Sequence, residues 1–196
     1  MCYRCKWVNQ NNELYIKYHD TEWGVPVYDD TKLFEMITLE GAQAGLSWET
    51  VLNKRENYRE AFYGYNLKKI ISLDDKDIEY LMLNEGIVRN RLKIKSVIQN
   101  ANVFVQIKKE YGSFSTFIWK YINNTPINGK YKTISLIPTK DELSDTISKD
   151  LKNKGMSFVG STIMYAFMQA VGMINAHTID CFRYKEIINS NIGRSG

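Results

Sequence analysis

Apolar residues recur at helical spacing along most of this chain, in segments that are mostly short. The stretch LFEMITLEGAQAGLSW, residues 33 to 48, is the most uniformly apolar. Leu33, Ile37, Glu40 and Ala44 share one stripe, while Phe34, Met36, Leu39 and Ala42 fill the other faces. A helix apolar on nearly every side is expected to be buried. Asp29 and Asp30 precede it as candidate N-caps. Upstream, residues 1 to 28 carry no long period, and one short helix is expected around 13 to 20. Downstream, Ser47 caps a helix carrying Val51, Leu52, Tyr58 and Phe62 to about Tyr63. Asn66 starts a short helix with Leu67, Ile70 and Ile71, and Asp74 leads another that stops at Gly86. Ile87, Arg91, Ile94, Val97, Ile98, Ala101 and Val105 then mark a long helix. Residues 76 to 105 therefore read as helix, glycine turn, helix.

Ser113 caps FSTFIWKYIN, and residues 123 to 138, with Pro126, Gly129 and Pro138, read as a loop or linker. Thr139 and Glu142 fit a capping box for a helix ended by Gly155. The longest charge-free stretch, 157 to 175, is interrupted by Gly160, Gln169 and Gly172, which suits a buried core helix better than a membrane span. No alternating strand pattern and no repeat is present. The pattern predicts an all-α fold, with residues 1–182 as a single compact domain and 183–196 as a polar tail that frays.

Composition narrows the possible partners. A net charge of +4 permits a polyanion without demanding one. Thirteen Tyr and four Trp supply flat rings with polar edges, suited to stacking as well as to ordinary cores. No apolar run follows the start, so no secretion signal is expected and the expected location is the cytoplasm. Nothing implies a membrane or an obligate protein partner, and a monomer is expected.

Three groups of residues carry candidate chemistry. Glu40 is a carboxylate in a greasy segment; once buried it needs a partner or a raised pKa, whereas at a helix end it would simply face water. With Gln43 and Trp48, and with Trp7, Tyr15, Tyr18 and Trp23 brought near by the N-terminal segment, it would make an aromatic pocket with one acid, suited to a flat cationic ligand. Each ring taken singly is as well explained by the core. Cys5, His19, His177 and Cys181 are the second group. Two thiolates and two imidazoles suffice for a closed tetrahedral zinc site, although the spacing follows no common zinc-finger pattern and two buried Cys with two ordinary His remain an alternative. Cys2 with Cys5 also forms a lone C-x-x-C. The third group is Arg89, Arg91, Lys93 and Lys95 beside the Gly86 turn: either an anion site built from cations and backbone N–H groups, or a solvated basic face.

These motifs bear a resemblance. CKWVNQNNELYIKYHDTEWGVP, LFEMITLEGAQAGLSWETVLNKRENYREAF, NEGIVRNRLKIKSVIQNA and LKNKGMSFVGSTIMYAFMQAVGMINAHTIDC resemble, in unbroken order from residue 2 to about 182, the bacterial DNA-3-methyladenine glycosylase I family. The resemblance implies the all-α helix-hairpin-helix DNA glycosylase fold and monofunctional excision of N3-methyladenine from double-stranded DNA. It implies structural zinc on Cys5, His19, His177 and Cys181, joining the N- and C-terminal segments. It implies base recognition by Glu40 and Tyr18, with Trp48 and Trp7 stacking. Gln43, Gly45 and Leu46 fall on the loop that enters the gap in DNA, and Gly86 through Val88 and Arg89 to Arg91 on the phosphate-binding hairpin. The catalytic Asp usual after the hairpin in this superfamily has no counterpart here, and nothing is carried over to 123–138. The rival from another class is a zinc-stabilised helical DNA-binding module without catalysis, which leaves a lone acid among aromatic rings unexplained.

Overall fold

In the computed structural model, residues 3–192 are described, with side chains through Ser190. Cys2, and so the C-x-x-C pair, lies outside the described residues. The helices are α1 (Glu13–Thr21), α2 (Asp30–Gln43), α3 (Trp48–Leu52), α4 (Arg55–Ala61), α5 (Leu67–Ile71), α6 (Asp75–Leu83), α7 (Arg91–Tyr111), α8 (Phe114–Trp119), α9 (Glu142–Asn153), α10 (Ser161–Ala170) and α11 (Phe182–Ile192). A two-residue parallel ladder joins β1 (Ile127–Asn128) to β2 (Ile174–Asn175).

Local sequence starts most of these helices. Asn12, Asp29, Ser47, Asn66, Asp74, Asn90, Ser113 and Asp141 each accept a hydrogen bond from a backbone N–H of the first turn that would otherwise lack a partner. Several boundaries differ from the expectation. The segment after Ser47 is two helices, because the chain leaves the helix at Leu52 and restarts at Arg55. The long helix begins at Arg91, with Asn90 as its cap, so Ile87 belongs to the turn. The capping box is Asp141 with Ser144, two residues beyond Thr139: the Asp141 side chain accepts from Ser144 N, and the Ser144 hydroxyl accepts from Asp141 N. The expected fraying tail is helical through Ile192, since Ile187 is buried within an otherwise polar segment.

Helix α2 is the centre of the molecule. Leu33, Phe34, Met36, Ile37 and Leu39 are all buried, and α3, α7, α8 and α10 pack around it. Phe34 meets Phe104 of α7 edge-on at 5.2 Å, and Phe104 stacks on Phe114 of α8 at 4.2 Å. The same helix carries two buried acids with opposite surroundings. Glu35 receives Arg55 at 2.9 Å, Lys32 at 2.9 Å and Arg59 at 3.3 Å, and Arg55 also binds Glu22 at 2.8 Å. Burial works against the ionised Glu22 carboxylate, yet the Arg55 and Lys32 bonds and charges outweigh it and hold its pKa at about 2. Glu40, one turn and a half further on, has no such partners.

The N-terminal segment is laid against α10 by the backbone. Gly24 N donates to Gln169 O at 3.1 Å and Val27 N to Val171 O at 3.0 Å. Gly172, at φ +73°, is what permits this: a Cβ there would sit 2.4 Å from Pro26 N. Among the described residues no helix is long and apolar enough to cross a membrane.

Candidate active site and metal centre

A cleft of about 350 Å³ opens between the N-terminal segment, the end of α2 and the start of α3, the 131–139 loop and α10. Trp7, Tyr15, Tyr18, Trp23, Glu40, Gln43 and Trp48 line it, so the residues singled out from sequence as a pocket do converge. Helix α1 presents Tyr15 and Tyr18 on one face, three residues apart. The rings form a connected wall: Trp7 lies 5.3 Å from Tyr15 and 4.8 Å from Trp23, and Tyr18 lies 5.3 Å from Trp48.

Two polar atoms in this wall are left over. Glu40 is 4% exposed, and its Oε2 has no hydrogen-bond partner among the described residues. The Trp48 indole Nε1–H, buried beside the same space, lacks an acceptor as well. Buried polar groups are nearly always paired, so an unpaired acceptor and an unpaired donor facing one cleft mark a place for a ligand. Desolvation pushes the Glu40 carboxyl up to about 8, with no cation near enough to oppose it. Burial, and next the Glu40 charge, hold the Tyr18 hydroxyl protonated, and burial with Glu49 and Glu40 raises Tyr15 to about 12. The wall therefore favours a positively charged, flat, hydrogen-bonding molecule.

Leu46 does not line the cleft. It stands 40% exposed on the loop after α2, beside Gly45 at φ +78°, with Leu46 N donating to Gln43 O at 2.6 Å. The left-handed Gly45 lets the chain reverse sharply and leaves the leucine projecting.

The α6–turn–α7 hairpin is formed as expected around Gly86, whose N–H is taken by Asn84 Oδ1 at 2.8 Å. Val88 N donates to the Tyr58 hydroxyl at 3.1 Å, tying the turn to α4. Arg89 is exposed and pairs with Glu85 at 3.3 Å; Arg91 is clasped by Glu79, with one bond of 2.7 Å; Lys95 reaches Asp75 at 3.6 Å. Lys93 departs from the expectation. Its side chain turns inward, 9% exposed, and Nζ donates to Ala42 O at 2.8 Å and Ala44 O at 2.6 Å. It is not a free cation on the hairpin surface, because two helix-end carbonyls already use it.

Cys5, His19, His177 and Cys181 come together, all buried, with their donor atoms within 4.8 Å of one another. Cys181 Sγ lies 3.4 Å from His177 Nδ1 and 3.5 Å from His19 Nε2, and Cys5 Sγ lies 3.5 Å from His177 Nδ1. Tetrahedral legs of about 2.3 Å to sulfur and about 2.0 Å to nitrogen give sulfur–nitrogen edges of about 3.5 Å, so the set fits one small metal ion. The outer shell is in place too. The other His19 nitrogen meets Asp20 at 2.7 Å, itself held by Arg4, and the other His177 nitrogen meets Trp23 O at 3.0 Å. Those bonds leave a lone pair on each imidazole aimed at the centre.

A profile described as methyladenine glycosylase matches residues 7–184. The chain belongs to the methyladenine glycosylase family. The DNA-3-methyladenine glycosylase 1 of Escherichia coli (strain K12) is 49% identical over 181 residues, covering 92% of this chain and 96% of that protein. A crystal structure of 3-methyladenine DNA glycosylase I superposes with a TM-score of 0.89 at 47% identity, over 92% of this chain and 98% of the other. A variant of 3-methyladenine DNA glycosylase I solved in complex with 3-methyladenine superposes with a TM-score of 0.88 at 37% identity, over 91% and 96%.

The half of the cleft not foreseen from sequence is contributed by Ile134, Ile137, Pro138 and Thr139 and, from α10, by Thr162, Tyr165, Ala166 and Gln169. The 123–138 segment is anchored rather than free. β1 pairs with β2, Ile179 N donates to Tyr131 O, and the Tyr131 and Tyr165 hydroxyls meet at 2.9 Å. The available signal was the clustering of Ile134, Leu136 and Ile137 within four residues, unusual for a solvated linker.

Proposed function

We propose that this chain is a monofunctional DNA glycosylase of base-excision repair, hydrolysing the glycosidic bond of N3-methyladenine in alkylated double-stranded DNA and leaving an abasic site. Membership of the family supports this reading. The observation that carries it is the unpaired Glu40 carboxyl in an aromatic cleft with no cation of its own.

N3-methyladenine is a cation in DNA, so its glycosidic bond is already weak and the base leaves neutral. The protein need not protonate it strongly. Its work is to extrude the nucleotide, at a cost of a few kcal/mol, and to hold the base as the bond opens. Leu46, projecting from the loop after Gly45, enters the vacated space in the duplex. Trp48 and Trp7 cover the faces of the base. A bound cation favours the charged form of a buried acid; Glu40 then gives its proton to solvent and accepts from the exocyclic amine. Tyr18, held protonated, remains a donor. Backbone contacts come from the hairpin, with Arg89 and Arg91 beside one phosphate at the turn of Gly86 and Val88, whose own N–H groups are bonded to Asn84 and Tyr58 and would have to be shared. Lys93 is left out of that set.

Zinc is the metal the four-residue centre suits, as judged from its two sulfur and two nitrogen donors. Cys5, His19, His177 and Cys181 would fill every position, so the ion would brace the two ends of the fold and leave none open for water. The protein would act as a monomer, in the cytoplasm with its DNA.

The test is release of free base from methylated duplex under single-turnover conditions. Release of 3-methyladenine with the strand left intact is expected. Binding to methylated DNA without release would overturn the reading in favour of a non-catalytic binding module.

A further inference from the structure

Helix α2 ends at Gln43 with no basic residue in its own last turn. The final carbonyls of a helix lack partners within it and form the negative end of its dipole. Here Ala42 O and Ala44 O are both taken by one ammonium group, that of Lys93, at 2.8 and 2.6 Å. Lys93 comes from the first turn of α7, fifty residues on, and its own N–H donates to Asn90 Oδ1, the cap that starts α7. One residue therefore closes the hairpin's second helix with its backbone and holds the end of α2 with its side chain. What lies just past those two carbonyls is the Gly45–Leu46 turn. Gly45, at φ +78°, is open where a Cβ would sit, and Leu46 N donates to Gln43 O across the turn at 2.6 Å, so the turn keeps its shape and follows whatever holds Ala42 and Ala44. Gln43, between the two bonded carbonyls, lines the cleft.

We infer that Lys93 is a positioning residue: it fixes the Gln43–Leu46 loop at a set distance from the phosphate-binding hairpin, so that anchoring on the backbone places Leu46 where a nucleotide leaves the duplex. This rests on the function proposed above. Lys93 touches neither base nor phosphate in this role. Loss of its bonds leaves Glu40 and the aromatic rings of the cleft in place and lets the loop shift from Gln43 onward.

Lys93→Met keeps the aliphatic stem and removes the donors. Expected in the folded variant is a roughly 10–100-fold fall in single-turnover excision from duplex DNA, the scale of loss that a misplaced reacting group produces. Affinity for free 3-methyladenine and for undamaged duplex stays within about threefold of the unmodified chain, on the reasoning that unaltered contacts keep their energy. Amide hydrogen exchange at residues 44 to 48 speeds up while that of α10 does not. Three results overturn the inference: duplex excision like that of the unmodified chain; free-base affinity falling in step with excision, which would mean a damaged cleft; or a salt slope for DNA binding shallower by about one, which would make Lys93 a phosphate contact. If the unmodified chain itself releases no base, the proposed function fails. Exchange at 44 to 48 then decides alone whether Lys93 holds the loop.

Discussion

Glu40 and Glu35 lie on one helix, both hidden, and their surroundings give them opposite pH behaviour. Glu35 is held below its ordinary range, against the pull of burial, by Arg55 and Lys32. Such a group stabilises the fold above its unfolded pKa and loses that contribution as pH falls. Glu40 is raised from 4.5 to about 8, so the folded state keeps its proton longer than the unfolded state does. Stability is therefore lost as pH rises from about 4.5 to about 8, by as much as roughly 5 kcal/mol. Glu40→Gln keeps the shape and cannot ionise. It should match the unmodified protein in denaturant melts at pH 4 and exceed it at pH 8.5. At the same time excision of N3-methyladenine should fall by roughly 10–100-fold without vanishing, because the cationic base is itself a good leaving group. Equal melts at pH 8.5 would mean that Glu40 has a partner in the folded chain. The sequence exposed Glu40 because one acid among apolar neighbours is conspicuous. It misled over Lys93, because four basic residues in seven look like a charged face, and the spacing does not show that one long side chain folds back onto a helix end.

At the scale of elements, caps were legible and breaks were not. Asp29, Ser47, Asn66, Asp74 and Ser113 act where their neighbours predicted, since capping is a local contest for backbone N–H groups. Arg55, where the helix restarts, is ion-paired with Glu22 and Glu35, far off in sequence, and no capping side chain marks the start nearby. The 123–138 segment was read as a linker from its Pro and Gly, yet its far end closes the cleft. Tyr131→Phe removes the hydroxyl contact with Tyr165. It should cost about 1 kcal/mol of stability and weaken binding of free 3-methyladenine several-fold, measured by titration calorimetry, while binding of undamaged duplex is unchanged. The hairpin makes the converse prediction. Arg89→Ala should weaken damaged and undamaged duplex alike and reduce the salt slope by about one. Arg91→Ala should do less, because Glu79 clasps Arg91 through both carboxylate oxygens whereas Glu85 meets Arg89 by a single longer bond of 3.3 Å. Filter binding across a salt series separates the two.

At the scale of the molecule, the two ends of the chain meet at the four-residue Cys/His centre, and the aromatic wall of the cleft hangs from it. Trp7 lies 5.3 Å from His19, and Trp23 lies 4.5 Å from His177. Cys181→Ser should lower bound metal below one ion per chain, lower Tm, and slow excision only in proportion to the unfolded fraction. Metal analysis alongside melting checks this, and full metal content in the variant would reject the ligand assignment. Spacing alone could not establish this centre, because its two halves lie at opposite ends of the sequence and only the packed helices set them side by side.

That long interval matters while the protein is being made. Cys5 and His19 emerge first, with Trp7, Tyr15 and Tyr18 among them, and their partners His177 and Cys181 follow only after most of the chain. At roughly 5–20 residues per second, the early wall waits on the order of ten seconds for its fastening. A chain that stops before His177 can still bond Gly24 to Gln169 and Val27 to Val171, but it lacks half of the Cys/His set against which Trp7 and Trp23 rest.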